Sequence, residues 1–392
     1  MDSYDVVVVG GAAIGSAVAY FLVAHPGFRG RRVLVLEQDP TYTWCATTRS
    51  AASIRHQFST PGNIRMSQFG TAFIRAAPAL LAVQGEPPAL GFREQGYLFL
   101  ATAAGLAALE AKVGLQQGCG ADVQLLDAAQ LAERFPWLHT DDLAGGALGR
   151  SGEGWLDAHG LLHGLRRKAL ELGAHYRAGR AVGLQCTGGR VNAVQLADGT
   201  AVRCGALVNA AGCAAAALAR HAGIALPVQP RKRCVFFFHS PAAWPGGPLL
   251  VDPDGAWCRP EGAGFIAGIA PPEQDDPACE DFEVRHELFD ERLWPALAHR
   301  VPGFEAVRVQ HAWAGHYDMN LLDHNLILGL HPQVDNLYFA NGLSGHGLQQ
   351  SPAIGRALAE LIVAGRFETL DLSEFGWERV LAQRPLREIN VV

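Results

Sequence analysis

The segment from Asp5 to Gly15 constrains the fold most strongly. Its run Asp5-Val-Val-Val-Val-Gly10 predicts a short strand buried on both faces, and the apolar pattern from Ile14 to Leu22 predicts a helix after a tight turn. The turn has the spacing Gly10-x-Ala12-x-x-Gly15, with Ala13 and Ile14 between the last two positions. The first glycine makes the turn, the last lets the helix pack on the strand, and Ala12 stands where backbone approaches a pyrophosphate. We therefore predict a unit that binds an adenine dinucleotide.

An acidic residue ends the second predicted strand, Arg32-Val-Leu-Val-Leu-Glu37. Glu37 follows Gly15 by 22 residues, a spacing at which a carboxylate accepts hydrogen bonds from the ribose hydroxyls of a bound dinucleotide. Because the carboxylate favours a free 2′-hydroxyl, a 2′-phosphate is disfavoured. The local sequence leaves the choice between FAD and NAD open.

The basic residues exclude two classes of nucleotide-binding protein. Lysine and arginine total 32, but lysine occurs only at Lys112, Lys168 and Lys232, and none of these lies in a Gly-Lys-Ser/Thr phosphate-binding loop. The net charge is −6 and the longest basic block is Arg231-Lys232-Arg233, so nucleic acid is not an expected partner.

The eight cysteines form no Cys-x-x-Cys pair, and no cluster has metal-ligand spacing. We expect free thiols, a reducing compartment and no metal site.

One uncharged stretch, Val6 to Ala24, is close to the length of a membrane span. It contains three glycines and follows two aspartates rather than a basic segment, so it predicts neither a transmembrane segment nor a signal peptide. We expect a cytoplasmic protein, with a peripheral position at the inner membrane as the alternative.

Three separated segments point to a known family. They are Thr43-Trp-Cys-Ala-Thr-Thr-Arg-Ser-Ala-Ala-Ser-Ile-Arg55, Leu207-Val-Asn-Ala-Ala-Gly212 and Asn341-Gly-Leu-Ser-Gly-His-Gly-Leu-Gln-Gln-Ser-Pro352. Together they resemble the D-amino-acid oxidase superfamily of FAD-dependent amine oxidoreductases. The likeness is to its sarcosine oxidase, sarcosine dehydrogenase and D-arginine dehydrogenase branch, and to FAD-dependent proteins similar to a mitochondrial complex I assembly factor.

The resemblance implies an α/β plus α+β fold. A glutathione-reductase-type, FAD-binding Rossmann domain would carry an inserted, mostly antiparallel, substrate-binding sheet domain. We expect residues 1–86, 144–225 and 322–392 in the discontinuous FAD-binding domain, and residues 87–143 and 226–321 in the substrate-binding domain. Local patterns predict helices near 103–117 and 352–364, with Asp127 as the N-cap of a further helix. They also predict a hairpin formed by 191–196 and 201–208, and strands at 96–101, 235–239, 264–269 and 336–340.

The resemblance also implies noncovalent FAD and a set of residues that contact it. The linking cysteine of monomeric sarcosine oxidases is replaced by Gly315, and the linking histidine of related dehydrogenases by Cys45, which leaves a Cys45 link as the alternative. The expected cofactor residues are Gly10, Ala12, Ala13, Ile14, Gly15, Glu37, Gln38, Thr47, Arg49, Ser50, Val182, Ala210, Ala211, Gly212, Gly342, Ser344, Gly345, His346, Gly347, Leu348 and Gln349.

The same resemblance implies the residues that hold an amino-acid-like substrate. Arg55 would pair with its carboxylate, unless it serves a phosphate or a structural ion pair. Tyr317 and His346 would contact the substrate or flavin, and Trp257 would form an apolar wall. Gln349 stands where sarcosine oxidases carry a second, cationic carboxylate ligand, and Lys232 is a candidate to supply that charge.

The implied reaction is oxidation of the C–N bond of an amino acid or N-substituted amino acid, a D-amino acid, N-methyl amino acid or opine. Hydride would pass to the flavin, and the imine would be hydrolysed. Ile266 replaces the lysine that promotes reaction with oxygen in sarcosine oxidases, so a dehydrogenase is expected, with a quinone, an electron carrier or oxygen as the acceptor. Two alternatives are a nicotinamide-dependent dehydrogenase and a catalytically silent flavoprotein that acts as an assembly scaffold.

Overall fold

The computed structural model describes residues 2–241, 244 and 246–389. The domain prediction also includes Met1 and residues 242, 243, 245 and 390–392, which lie outside the described residues. The strands in chain order are β1 Ser3–Val9, β2 Val33–Glu37, β3 Ser53–Ile54, β4 Tyr97–Ala101, β5 Val123–Asp127, β6 Gly145–Gly149, β7 Gly154–Trp155, β8 His175–Ala178, β9 Ala181–Thr187, β10 Arg190–Leu196, β11 Ala201–Asn209, β12 Val228–His239, β13 Leu249–Val251, β14 Trp257–Glu261, β15 Gly264–Gly268, β16 Arg308–Asn320, β17 Ile327–Leu330 and β18 Leu337–Asn341. The α-helices are α1 Ala13–Ala24, α2 Pro61–Leu80, α3 Leu106–Gly118, α4 Ala128–Arg134, α5 Ala158–Glu171, α6 Ala215–Arg220, α7 Trp294–Arg300, α8 Gly347–Ala364 and α9 Trp377–Leu381.

The first sheet is the dinucleotide-binding sheet. Its order is β17-β18-β11-β1-β2-β8, the last five strands are parallel, and β10 and β9 continue from β11 as an antiparallel meander. Val6 and Val8 pack against helices α1, α5 and α8, whereas Val7 and Val9 pack against the meander and α6. The β-branched run of β1 is therefore buried on both faces, as its composition predicted.

The second sheet covers one side of the molecule with eight strands in the order β16-β12-β15-β14-β13-β4-β6-β5. Every neighbouring pair is antiparallel except β13 with β4, which confirms a mostly antiparallel sheet. One strand departs from the expected domain bounds. Strand β6 lies beyond residue 143, where we expected the FAD-binding domain to resume, but it pairs with β4 and β5. The segment that belongs to the second sheet therefore extends to Gly149.

Most local predictions match the observed elements within a few residues, and Asp127 caps α4 by accepting from the Gln130 amide. Two elements begin earlier than predicted: β12 begins at Val228 rather than near Val235, and α8 begins at Gly347 rather than near Pro352. Pro352 has no N–H to donate to the carbonyl of Leu348, but the Ser351 hydroxyl donates to that carbonyl at 2.9 Å. The helix can therefore contain this proline, and its first turn includes Leu348.

Candidate flavin and substrate site

The glycine turn after β1 packs tightly against the end of β11. Gly10 has φ +99°, and a methyl group on it would lie 2.2 Å from the carbonyl oxygen of Ala210. A methyl group on Gly15 would lie 1.8 Å from the carbonyl oxygen of Gly10, so α1 can approach the turn only because both residues are glycine. Ala12 is the N-cap of α1 and supplies no side-chain cap. The first turn, which includes Ile14, receives no cap from its own N-cap residue, and such a helix N-terminus has the character of a phosphate site.

Glu37 is fixed at this turn through its carboxylate. One oxygen accepts from the Gly11 amide at 2.7 Å and the other from the Asp39 amide at 2.8 Å. Burial raises the pKa of Glu37, and these amide bonds oppose the increase. Each oxygen retains acceptor capacity, as a ribose ligand requires. Gln38 beside it is exposed.

Val182 lies on β9, which begins shortly after Gly179, and 39% of its surface is exposed. The Gly179 amide donates to the Glu37 carbonyl at 2.8 Å. This contact places the start of β9 beside the end of β2.

The loop after β2 connects the two sheets. The Thr47 hydroxyl accepts from the Ala13 amide at 3.3 Å, and the Ser50 hydroxyl donates to the Thr47 carbonyl at 2.9 Å. Arg49 donates to the Ala314 carbonyl on β16 at 2.8 Å, and its guanidinium lies 4.2 Å from the ring centre of Trp44. These contacts place Thr47 at the start of α1 and Arg49 against the second sheet.

A buried amide at the end of β18 supports the presence of a ligand. Strands β1, β11 and β18 are parallel neighbours, so Gly10, Ala210 and Asn341 lie at the same edge of the sheet, with Ala211 and Gly212 following. Asn341 has no exposed surface, and within the described residues neither its side-chain oxygen nor its nitrogen has a hydrogen-bond partner. A polar cofactor at this edge would satisfy the amide, so the residues fit FAD. Asn341 begins the third of the segments that resemble the family, but the sequence analysis did not include it among the expected cofactor residues.

The glycine-rich loop between β18 and α8 is held from β16. Asp318 accepts from the amides of Gly342 and Leu343 at 2.9 and 3.2 Å, and the Ser344 hydroxyl accepts from the Asn320 amide at 3.1 Å. Burial raises the pKa of Asp318 to about 6. The loop leads into α8, whose N-cap, His346, makes no side-chain cap, so the amides of Gly347 and Leu348 lie in an uncapped first turn.

Arg55 lies at the centre of the predicted substrate site and is only 4% exposed. Its guanidinium lies 4.6 Å from the ring centre of Phe58 and 5.6 Å from that of Phe99, and its Nη2 is 3.3 Å from Nε2 of His346. Its backbone amide donates to the side-chain oxygen of Gln349 at 2.8 Å. The structure therefore brings three predicted substrate residues together, and the Gln349 oxygen contacts the backbone of Arg55.

The second sheet forms an apolar roof near Arg55. Tyr97, Trp155, Val235, Leu249, Val251, Trp257 and Ile266 form one buried cluster. Tyr317 reaches the loop below, because a methyl group on Gly345 would lie 2.5 Å from its ring carbons. Burial raises the pKa of Tyr317, and the charges of Arg233 and then Arg55 oppose the increase. The hydroxyl of Tyr317 therefore lies within the electrostatic reach of both arginines.

Tyr97 is a site residue that the sequence analysis missed, because its strand resembles ordinary core. Burial raises the pKa of its hydroxyl, while the nearby charge of Arg55 and a hydrogen bond with Ser53 oppose the increase. No local signal distinguishes Tyr97, since its proximity to Arg55 depends on the packing of β4 against the loop after β3.

Lys232 and Arg233 lie on opposite faces of β12. Lys232 is directly opposite His316 and bonds to Asp281 at 2.6 Å, whereas Arg233 is opposite Gly315 and its guanidinium lies 5.2 Å from the ring centre of Tyr317. Side chains alternate along a strand, so Lys232 faces away from the side that carries Tyr317. The suggestion that Lys232 supplies the second cation is therefore not supported by the geometry.

One group of side chains in the described residues has the composition of a metal site: His139, Asp142 and His299. Arg300 donates to both oxygens of Asp142, at 2.8 and 2.9 Å, so this carboxylate already has a cationic partner. The group joins α7, which carries His299, to the 137–143 loop, and both Asp142 and His299 are exposed. Within the described residues, no helix is both long enough and apolar enough to cross a bilayer.

Comparison with known proteins finds relatives along nearly the whole chain. The chain is 43% identical over 423 residues to the FAD-dependent oxidoreductase domain-containing protein 1 of Xenopus laevis, covering 99% of this chain and 85% of that protein. It is 26% identical to the sarcosine oxidase subunit beta of Rhizobium meliloti (strain 1021), covering 92% and 85%. The crystal structure of L-proline dehydrogenase from P. horikoshii superposes with a TM-score of 0.85 at 23% identity, covering 97% and 98%.

The family comparison decides between the cofactor alternatives. The family model named DAO and described as FAD dependent oxidoreductase matches residues 5–361, nearly the whole chain. The plain nicotinamide alternative is therefore wrong, and the catalytically silent scaffold gains no support from these similarities. The chain belongs to the DAO family of FAD-dependent oxidoreductases.

Proposed function

We propose that this protein oxidises the C–N bond of an amino acid or N-substituted amino acid, with Arg55 binding the substrate carboxylate. The observation that carries the proposal is the position of Arg55, a cation buried among Phe58, Phe99 and Tyr97 at the edge of the dinucleotide-binding domain. A buried guanidinium in an aromatic chamber favours a planar anion that can accept two parallel hydrogen bonds. The amino-acid carboxylate is such an anion.

The backbone around Arg55 is fixed on both sides. The Gln349 oxygen accepts from the Arg55 amide, and the Ser67 hydroxyl donates to the Arg55 carbonyl while lying 2.9 Å from the same Gln349 oxygen. We infer that Gln349 supports Arg55 rather than replacing the cationic ligand of sarcosine oxidases. This arrangement orients the substrate through Arg55, and orientation of reacting groups lowers the barrier.

The remaining side chains shape the reaction space. The roof formed by Trp257, Ile266 and their neighbours excludes water, which strengthens electrostatic contacts inside. Because the pKa of Tyr317 is raised, its hydroxyl stays protonated at neutral pH and can donate to a substrate oxygen. Arg233 lies beside the Tyr317 ring, but its guanidinium donates to both oxygens of Asp276 at 2.9 Å, so Arg55 is the cation that we assign to the substrate carboxylate.

Bound FAD supplies the acceptor for the hydride that leaves the substrate carbon. The residues Gly10–Gly15, Glu37, Thr47, Asn341 and the 342–349 loop would hold it, without a covalent link. A substrate amine that arrives unprotonated needs no strong base, and the resulting imine takes up water to give a carbonyl compound and a free amine. With Ile266 in the roof, we infer a dehydrogenase that passes electrons to an acceptor other than oxygen.

An anaerobic screen of the FAD-loaded protein tests the proposal. D-Amino acids, N-methyl amino acids and opines are mixed with the protein, and loss of the flavin absorption near 450 nm is followed. We expect bleaching by at least one class, and much slower bleaching by the Arg55→Ala variant than by an Arg29→Ala control, since Arg29 is exposed. Bleaching by none of the three classes would refute the proposal.

A further inference from the structure

Glu153 is a buried carboxyl group next to Arg55 that the proposed reaction does not use. It is 1% exposed and precedes β7, the strand that pairs with the strand leading to Arg55. One carboxyl oxygen accepts from the His56 amide at 2.7 Å, and the other accepts from the side-chain nitrogen of Gln57 at 2.9 Å. Glu153 therefore binds the two residues that follow Arg55.

The surrounding backbone leaves room for this carboxyl group. A methyl group on Gly149 would lie 1.8 Å from one oxygen of Glu153, so any larger residue at the end of β6 would displace it. The Gly96 amide donates to the Glu153 backbone carbonyl at 3.0 Å, which fixes the main chain from the strand that leads to Tyr97. Glu153 is thus held by the segment after β3 and by the residue that precedes β4, and it packs against the end of β6.

The charged and titratable groups around Glu153 are few. Arg55 and the Tyr97 hydroxyl interact with it electrostatically, and both of its direct partners are neutral amides. Burial lowers the pKa of the His56 ring to about 4, so this neighbour is neutral above pH 5. The Arg75–Glu94 pair lies beyond His56 and is partly exposed, and His346 faces Arg55 from α8.

Burial raises the pKa of Glu153 to about 7, against the opposing effects of the Gln57 bond, the His56 amide and the charge of Arg55. The carboxyl group therefore changes its charge near neutral pH. The ionised form of Glu153 offsets part of the positive charge of Arg55. When Glu153 is protonated, this charge is not offset, and Arg55 attracts another anion more strongly.

We propose that Glu153 is a positioning residue for Arg55 and that its proton controls how tightly the site holds a carboxylate ligand. The inference rests on the proposed function, because it assumes that the ligand carboxylate binds Arg55. A carboxylate at Arg55 repels the ionised form of Glu153 and so favours the protonated form. Ligand binding therefore takes up a proton, and affinity falls as the pH rises through 7.

Calorimetric titration of the FAD-loaded protein with methoxyacetate tests this linkage. This ligand resembles an N-methyl amino acid but has no amine to titrate. Between pH 6 and 8.5 we expect its dissociation constant to increase on the order of tenfold in the wild-type protein. Titrations at pH 7.5 in two buffers of different protonation enthalpy should show proton uptake on binding.

Two variants separate charge from structure. Glu153→Gln keeps an acceptor for the His56 amide but cannot ionise, so its dissociation constant should not depend on pH and proton uptake should vanish. Gln57→Leu removes the hydrogen bond between Gln57 and Glu153 but retains the carboxyl group. The pH dependence of its dissociation constant should therefore persist and move to higher pH.

The outcomes are distinct. A wild-type dissociation constant that is constant between pH 6 and 8.5, or binding without proton uptake, would overturn the role of Glu153 while leaving the proposed function intact. The same follows if Glu153→Gln retains the wild-type pH dependence. The wild-type measurements decide the matter if a variant does not fold. Failure of the anaerobic screen described above would instead refute the proposed function itself.

Discussion

The contact between Gly345 and Tyr317 makes the loop between β18 and α8 sensitive to a single methyl group. Gly345 has φ +92°, and an added Cβ would lie 2.5 Å from two ring carbons of Tyr317 and 3.0 Å from its hydroxyl. Two costs follow for Gly345→Ala. A left-handed backbone conformation costs an L-residue about 1–2 kcal/mol, and overpacking of a filled contact costs about 1–3 kcal/mol. We therefore predict a loss of about 2–5 kcal/mol in the free energy of unfolding.

Gly365→Ala is the matched control for the backbone cost. Gly365 ends α8 with φ +71°, and nothing lies within 4 Å of a Cβ built there. Its substitution should cost only the backbone contribution of about 1–2 kcal/mol in the free energy of unfolding, and it should leave ligand binding unchanged. The difference between the two variants, about 1–3 kcal/mol, measures the clash with Tyr317.

Denaturant unfolding of the FAD-saturated proteins measures both variants, and titration with methoxyacetate reports the site. Gly345→Ala should also weaken ligand binding, because relief of the clash displaces the Tyr317 ring. In the double variant Gly345→Ala/Tyr317→Ala, the alanine at 345 should cost no more than Gly365→Ala does, since the ring is gone. Equal destabilisation by Gly345→Ala and Gly365→Ala, with ligand binding intact, would refute the placement of Tyr317 on this loop.

Three further substitutions test other parts of the site. Arg55→Ala should weaken methoxyacetate binding by on the order of 2–5 kcal/mol, whereas Arg29→Ala should not, as calorimetry would show. Asn341→Ala should raise the dissociation constant of FAD about tenfold, measured by flavin fluorescence, without destabilising the FAD-free protein, because it removes a buried amide that lacks a partner. The pKa of Asp318 is raised to about 6 from 3.8, so its folded form holds the proton more tightly and stability falls as the pH rises between these values. Relative to Asp318→Asn, the wild type should lose about 3 kcal/mol of unfolding free energy from pH 3.8 to pH 6 and above.

Features encoded by neighbouring residues could be predicted from the sequence. The turn at Gly10 and Gly15, the acid at Glu37 and the hairpin that ends at Asn209 depend on local spacing, and the structure contains each of them. The start of α8 could not be predicted, because the contact that compensates for Pro352 comes from a neighbouring hydroxyl rather than from a helix-favouring pattern.

Features that depend on strand pairing were harder to predict. Lys232 and Arg233 are adjacent in one basic block, and only the register of β12 with β16 determines which of them lies on the Tyr317 side. Tyr97 and Glu153 carry no local signal either, because both become site residues through contacts with the segment that carries Arg55. Their roles follow from burial and long-range packing, which spacing along the chain does not encode.

Ile266 offers a test of the inferred preference for an acceptor other than oxygen. It is 2% exposed in the roof with Trp257, and its cross-strand neighbour on β14 is Arg259. Arg259 is a buried cation on the same face, but its guanidinium bonds to Glu261 and to the carbonyl of Ala51. Its charge is therefore already matched. Reduction of oxygen builds negative charge, which a cation in a water-excluded site stabilises.

We therefore predict that Ile266→Lys increases the rate at which the reduced protein is reoxidised by dissolved oxygen by at least about tenfold, an effect equal to about 1.4 kcal/mol of barrier. Stopped-flow mixing of the anaerobically reduced protein with aerated buffer measures this rate. The experiment is best done near pH 6, since burial lowers the pKa of an introduced lysine. Ile266→Met controls for the change of shape because it is unbranched, similar in volume and uncharged. Equal reoxidation rates in the lysine and methionine variants would show that charge in the roof does not limit the reaction with oxygen.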